Sequence, residues 1–173
     1  VSYGDVSDQI IELGDTAANR LGLSQTAFNE IATQFSGFAS AIGGEGEGVV
    51  DFIDTLSQRG ADFASVYNLD VNEALQTFQS GLAGETEPLR KFGVDLSAAT
   101  VEAFAYANGI AEAGEPLTEA QKQQARYGAL LEQTNNVQDD FQNTQGGLAN
   151  AQRTLSANFQ DLQANVGGPL LGA

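Results

Sequence analysis

Apolar residues recur at intervals of three and four along most of the chain, which is the period of an amphipathic α-helix. Alternating runs of β-branched residues, which would indicate strands, are short and rare. Five apolar stripes precede residue 110: Ile10, Leu13, Ala17 and Leu21; Phe28, Ile31, Phe35, Phe38 and Ile42; Val49, Phe52, Ile53, Leu56, Phe63 and Tyr67; Ala74, Leu75, Phe78 and Leu82; and Val101, Phe104 and Ala105. The pattern predicts an all-α fold, with a compact multi-helix domain followed by long helices.

Capping and breaking residues set the predicted helix ends. Side chains that accept backbone N–H groups are expected at the helix starts Asp5 or Ser7, Ser24, Asp70, Ser97 and Thr118. Asp70 with Glu73, and Thr118 with Gln121, have the spacing of a capping box. Breaks are expected at Gly22, at residues 43–48 (GGEGEG) and at Glu115-Pro116.

The last third of the chain is predicted to form longer helices. One helix begins at Thr118 and continues to about Gln142. A break follows it at Gly146-Gly147. The final helix runs from Leu148 to Val166, where Gly167-Gly168-Pro169 stops it. These limits predict a compact domain over residues 1–116, a long helical segment over 117–168, and the start of a continuation over 169–173.

The final helix carries a pattern with a period of seven residues. Such spacing, about 3.5 residues per turn, indicates a narrow coiled-coil-like seam that packs against other helices. The neighbouring surface is polar and weakly charged, because residues 121–165 contain ten Gln and six Asn. The alternative is a single helix packed on its own domain. The predicted self-association residues are Phe141, Leu148, Leu155, Phe159, Leu162 and Val166.

Residues 81–94 (GLAGETEPLRKFGV) are predicted to form a structural corner between the fourth and fifth helices. Gly84 and Pro88 are typical turn residues, and Pro88 also suits a first helical turn. Leu89 and Phe92 are expected to dock into the core between those two helices. The adjacent cations, Arg90-Lys91, are expected to pair locally with Glu85 or Glu87.

Composition narrows the chemistry. The 173 residues include no Cys, His or Met and carry a net charge of −16. Disulfides, zinc-thiolate sites, thiol nucleophiles and histidine-based catalysis are therefore excluded for this sequence. Because the chain does not begin with Met, we expect it to be an internal piece of a longer protein or a processed one.

The charge is uneven and acidic. Residues 1–116 contain 18 acidic and 4 basic residues, whereas residues 117–173 contain 5 and 3. An acidic surface repels phosphate, so we expect no direct nucleic-acid binding. The acidity is typical of a soluble protein, and it also suits a surface that lies near DNA without adhering to it.

No motif in the sequence indicates an active site. The GGEGEG segment lacks the lysine of a phosphate-binding loop and contains two acids that would repel phosphate. Carboxylate pairs such as Glu85 with Glu87, or Asp139 with Asp140, lie in local acidic turns. We therefore predict no enzyme activity and no catalytic, cofactor-binding or metal-binding residues.

Several segments resemble tape measure proteins of long-tailed phages that infect Gram-positive or actinobacterial hosts. The likeness spans about Asp5 to Leu170 and is carried by LGLSQTAFNEIATQFSGFASAIG, FIDTLSQRGADFASVYNLDVNEALQTFQSGLAGE, GLAGETEPLRKFGVDLSAATVEAFAYANGI and LTEAQKQQARYGALLEQTNNVQDDFQNTQGGLANAQRTLSANFQDLQANVG. Tape measure proteins are much longer, so the resemblance implies an internal or C-terminal-region fragment.

The resemblance implies a structural role in the virion. Such proteins occupy the lumen of the tail tube in several copies, set tail length and leave ahead of the genome. It implies partners among tail-tube and distal tail or tip proteins, with a self-associated trimer favoured and a hexamer as the alternative. It also implies synthesis in the host cytoplasm and delivery to the host envelope, with membrane contact only through regions outside this sequence. A monomeric acidic helical binding module of a cell-surface protein is the alternative function.

Overall fold

The computed structural model of the chain describes residues 3–42 and 44–170, and every regular element in these residues is helical. The predicted all-α fold is confirmed. Ten α-helices and one short 3-10 helix follow in order: α1 Tyr3–Asp15, α2 Ala17–Leu21, α3 Gln25–Ile42, α4 Glu47–Tyr67, α5 Val71–Ala83, α6 Glu87–Arg90, α7 Ala98–Ala107, α8 Glu119–Gln133, the 3-10 helix Asn135–Val137, α9 Asp140–Asn143 and α10 Leu148–Leu170.

Three predicted helix starts are capped by the predicted side chain, but of the two predicted capping boxes only that of Thr118 is complete. The Ser24 hydroxyl accepts the N–H of Ala27 at 3.3 Å, and the Asp70 carboxylate accepts that of Asn72 at 2.9 Å. Thr118 forms the complete capping box with Gln121. Such caps satisfy N–H groups that the first helical turn leaves without partners.

Of the other two predicted caps, one is wrong and the second lies at the predicted position without the expected side-chain bond. Helix α1 already begins at Tyr3, so Asp5 and Ser7 lie inside it. The Ser97 hydroxyl makes no capping bond; instead, the Asp95 carboxylate accepts the N–H of Ser97 at 2.9 Å. Asp95 thus fixes the backbone just before α7 rather than accepting an N–H group of its first turn.

Helix α4 lies at the centre of the fold. It packs against α1, α2, α3, α5 and α9. Its buried rings meet those of neighbouring helices edge to face, with centroids 6.3 Å apart for Phe35 and Phe52 and 5.1 Å apart for Phe63 and Phe78. Aromatic pairs in this arrangement add directional attraction to the burial of apolar surface.

The core continues past the predicted boundary at residue 116. Helix α8 packs on α7 and α3, and its Ala125, Ala129 and Leu130 are buried in the same cluster as the residues of α4. Val137 and Phe141 complete that cluster. One continuous core therefore extends from the first helices to Phe141. The small side chains of Ala125 and Ala129 allow α8 to pack closely on the other helices.

The predicted long helix from Thr118 to Gln142 is wrong, because α8 ends at Gln133. The Arg59 guanidinium of α4 donates to the carbonyl of Leu131 at 3.0 Å and to the Gln138 amide oxygen at 3.1 Å. The buried Asp62 carboxylate accepts the N–H groups of Asp139 at 2.9 Å and Phe141 at 3.0 Å. Tertiary hydrogen bonds from α4 thus replace the helical bonds that the sequence pattern predicts.

The final helix is longer than predicted. Helix α10 continues through Gly167, Gly168 and Pro169 to Leu170. Glycine raises the cost of a helix by about 1 kcal/mol without forbidding one. Of the predicted continuation over 169–173, residues 171–173 lie outside the described residues, as do residues 1, 2 and 43.

Candidate self-association surface on the last helix

Helix α10 is held on the domain by a polar face. It packs against α2 and α3. Arg153 donates to the Leu69 carbonyl at 2.9 Å, just beyond the end of α4, and Asp161 accepts the Gln25 N–H at 2.8 Å, at the start of α3. A cation therefore lies at a helix C-terminus and an anion at a helix N-terminus, where the helix dipoles favour each.

The rest of this docking face is made of small and polar side chains. The buried Asn150 amide donates to the hydroxyls of Ser65 and Thr144, both at 2.8 Å. Among the described residues of α10, Ala157 alone is both apolar and buried. A polar cleft of about 330 Å³, lined by residues including Asn68, Asp70 and Gln160, remains between α10 and the domain.

The sequence prediction missed these docking residues. Their partners lie in α3 and α4, far along the chain, so local periodicity does not reveal them. A signal was nonetheless present: Arg153 and Asp161 are the two charged residues between 148 and 170. A single charged residue in an otherwise uncharged helix often lies where another part of the fold offers it a hydrogen-bonding partner.

The opposite face of α10 is apolar and exposed. Its five large side chains are between 54% and 77% exposed, and they account for five of the eight large hydrophobic side chains exposed among the described residues. Exposed apolar groups gathered on one face commonly mark an interaction surface. We call this set the α10 stripe: Leu148, Leu155, Phe159, Leu162 and Val166.

The α10 stripe and the docking face lie on opposite sides of the helix. At about 100° per residue, corresponding to 3.6 residues per turn, Leu148, Leu155 and Phe159 point about 165° away from Asn150 and Ala157. The helix can therefore dock on its own domain and offer its stripe to another molecule at the same time. Helix α10 does pack on its own domain, as the alternative prediction states, but the five residues of the stripe take no part in that packing.

Phe141 does not belong to this surface, which corrects its assignment to the predicted seam. It lies in α9, is fully buried and belongs to the domain core. Its ring packs close to Gly22, where an added Cβ would lie 3.1 Å from it. The seven-residue spacing to Leu148 is coincidental, because the chain is not helical between Asn143 and Leu148.

The corner over residues 81–94 is built largely from the predicted residues. Gly84 ends α5 with a φ of +105°, a conformation that side chains with a Cβ rarely adopt. Pro88 occupies the first turn of α6, and Leu89 is fully buried. The expected local ion pair joins Arg90 to Glu87 at 2.7 Å.

Phe92 docks elsewhere than predicted. Its half-buried ring packs against the rings of Phe63 and Tyr67 on α4, with both centroids 5.0 Å away, rather than between α5 and α7. The Lys91 ammonium lies 4.8 Å from the centre of the same ring. The corner thus braces the C-terminal half of α4.

The described residues offer little that resembles a reactive centre. No three of their acidic side chains are grouped so that they could hold a metal ion. A groove of about 800 Å³ between α1, α3 and α4 has a mainly apolar lining that includes Ile10, Ile11 and Val49. Within the described part of the chain, no helix is both long and apolar enough to cross a membrane.

Comparisons with known proteins identify no relative. The sequence matches no model of a protein family and no curated protein, and no solved structure matches the chain.

Proposed function

We propose that this chain is part of a tape measure protein of a long-tailed phage with a Gram-positive or actinobacterial host. In this role it is a structural protein of the tail tube and tip that helps to set tail length. It leaves the tail ahead of the DNA during ejection. The proposal is supported by the sequence resemblance, the helical fold and a surface suited to self-association.

The observation that carries the proposal is the α10 stripe, exposed on the side of the helix opposite the domain. A repeated structural element needs a surface through which its copies meet without rearranging their own cores. A stripe of five apolar side chains on a docked helix meets that need, because packing against other helices removes it from water.

A second copy of this chain is the partner that the charges favour. Residues 148–166 contain one Arg and one Asp and are neutral overall, whereas the whole chain has a net charge of −16. Identical acidic molecules repel one another over most of their surface, and this repulsion is weakest along α10. We propose a trimer, with a hexamer as the alternative, whose acidic domains lie outside a neutral helical centre.

The same charge distribution suits a protein that shares a narrow space with DNA. An acidic surface repels the phosphate backbone, so the genome can pass without being bound. Tail-tube and distal tail or tip proteins are the proposed further partners. The chain is thus proposed to be made in the host cytoplasm, carried in the virion and delivered to the host envelope.

Light scattering of the purified chain over a range of concentrations tests the self-association. We expect the wild type to form oligomers and Leu155→Glu to be monomeric, because the substitution places a charge within the apolar contact. Ala164→Glu is the matched control: it adds the same charge to an exposed position on the docking side of the helix, and it should still associate. A wild type that stays monomeric at every concentration would favour the monomeric binding module instead.

Immunogold electron microscopy tests the role in the virion. Antibodies raised against this chain should label phage tails from the source organism, particularly tails that have been opened or have lost their tips. Labelling confined to the cell envelope of uninfected cells would favour a cell-surface protein. Together the two experiments separate the assembly property from the biological setting.

A further inference from the structure

The α10 stripe fits a heptad register whose six core positions include one polar residue, Gln152, near the start of the helix. Leu148, Leu155 and Leu162 occupy one core position of the heptad, usually called d. The other core position, a, is occupied by Gln152, Phe159 and Val166. All six side chains are exposed, and that of Gln152 also borders the polar cleft between α10 and the domain.

The positions that flank the core carry no charge. In many coiled coils, charged residues at the flanking e and g positions pair across the interface and determine its orientation. Here those positions are exposed and hold only small or amide side chains: Ala149, Ala151, Ser156, Asn158, Gln163 and Asn165. The flanks therefore offer no ionic pairs that would select between parallel and antiparallel packing.

We infer that Gln152 is the specificity-determining residue of this surface, and that it selects further copies of the chain packed parallel and in register. This inference rests on the self-association proposed above. In that arrangement the Gln152 amides of neighbouring copies meet in one layer and hydrogen-bond to each other. A buried polar residue at a single a position commonly specifies register in this way, at some cost in stability.

Antiparallel packing leaves the same amide without a partner. If the five apolar residues pair end to end, Leu148 lies opposite Val166, and Gln152 lies opposite Leu162. The amide then loses water and gains no hydrogen bond, a loss incurred once in each helix. Gln152 therefore disfavours the antiparallel orientation, whereas the apolar residues alone would allow both orientations.

Disulfide trapping distinguishes the two orientations, and the natural chain has no cysteine to interfere. Leu148→Cys should crosslink to itself under a glutathione redox buffer if copies are parallel and in register. In the antiparallel arrangement the two introduced thiols would be about 27 Å apart, for 18 residues at 1.5 Å each. A mixture with Val166→Cys chains would then give the crosslink instead. Ala164→Cys, on the docking side, is the control that should not crosslink.

Replacement of the amide tests Gln152 itself. In the Leu148→Cys background, Gln152→Leu should strengthen association about tenfold or more. It should also allow crosslinks between positions 148 and 166, whereas Gln152→Asn should keep the 148–148 crosslink.

If Gln152→Leu forms only the 148–148 crosslink, Gln152 does not set the orientation. If the cysteine variants that keep Gln152 crosslink only between positions 148 and 166, the parallel inference is overturned while self-association stands. If light scattering shows a monomer, both are overturned.

Discussion

Asp62 is a buried acid that organises a distant part of the chain. Its carboxylate accepts two backbone N–H groups at the start of α9, where no helical carbonyl is available to them. Burial raises the pKa of this carboxyl, and the hydrogen bonds from Phe141 and Asp139 offset part of the rise. Asp62 therefore stabilises the turn because its two carboxylate oxygens accept these hydrogen bonds. Burying the carboxylate in its charged form costs free energy that opposes this gain.

Asp62→Asn should destabilise the fold by about 1–3 kcal/mol, the cost of leaving a buried donor without its acceptor. An amide has one carbonyl oxygen, so it can replace at most one of the two oxygens that accept bonds here. The free energy of unfolding in urea measures the effect. Equal stability of the two proteins would show that the turn forms without these bonds.

The pH dependence of the same comparison has a definite sign. Because the folded-state pKa of Asp62 is raised, ionisation costs stability as pH rises from the unfolded value of about 3.9 through the folded-state pKa. The stability advantage of the wild type over Asp62→Asn should therefore be largest near pH 4 and shrink as pH rises to 7. Taking the difference between the two proteins removes the contribution of the other acids.

The corner offers a second comparison at the residue scale. Leu89 is fully enclosed, whereas the Phe92 ring is half-buried. Leu89→Ala should cost about 2–5 kcal/mol, and Phe92→Ala less than the roughly 3 kcal/mol typical of a buried ring. Unfolding of the two variants by urea ranks them. A larger loss for Phe92→Ala would indicate that the ring contacts on α4 matter more than enclosure does.

Helix ends show which elements the sequence predicts and which it does not. The caps at Ser24, Asp70 and Thr118 are predictable because each side chain accepts a backbone N–H from a residue two or three positions further along. The break after Gln133 is not, since its hydrogen bonds come from Arg59 and Asp62, residues 72 to 79 positions away. Local chemistry sets the caps, and tertiary contacts override helix propensity at the break.

The same distinction applies to the candidate surface. The five residues of the α10 stripe share one helix, so their spacing alone predicts that they share a face. The same seven-residue spacing places Phe141 on that face, but α9 and α10 are separate helices, so the prediction fails there. Periodicity predicts a surface only as far as the helix that carries it is continuous.

Helix α10 should be separable from the domain. None of its described residues belongs to the main hydrophobic cluster, and its docking contacts are mostly polar. Deletion of residues 147–173 should cost about 1–3 kcal/mol, comparable to the charge-assisted hydrogen bonds that are lost. The shortened chain should keep one cooperative thermal transition and the circular dichroism of a helical protein. Collapse of the remaining helices would show that α10 is integral to the core.

At the scale of the whole molecule, charge and apolar surface are separated. The acids concentrate in residues 1–116, and the α10 stripe lies on a neutral segment. This arrangement keeps copies apart except along one helix, which limits association to a defined contact. It also means that the attractive and repulsive parts of the interaction respond differently to salt.

Association of the purified chain should therefore not weaken as salt is added. No ion pair is expected within the contact, since the stripe and its flanks are uncharged, so screening has nothing attractive to remove. Screening does reduce the repulsion between copies that each carry a net charge of −16, so association should stay constant or rise slightly. Sedimentation equilibrium at about 0.05, 0.15 and 0.5 M sodium chloride measures this, with Debye lengths on the order of 14 to 4 Å. A dissociation constant that rises steeply with salt would mean that charged groups, rather than the α10 stripe, hold the copies together.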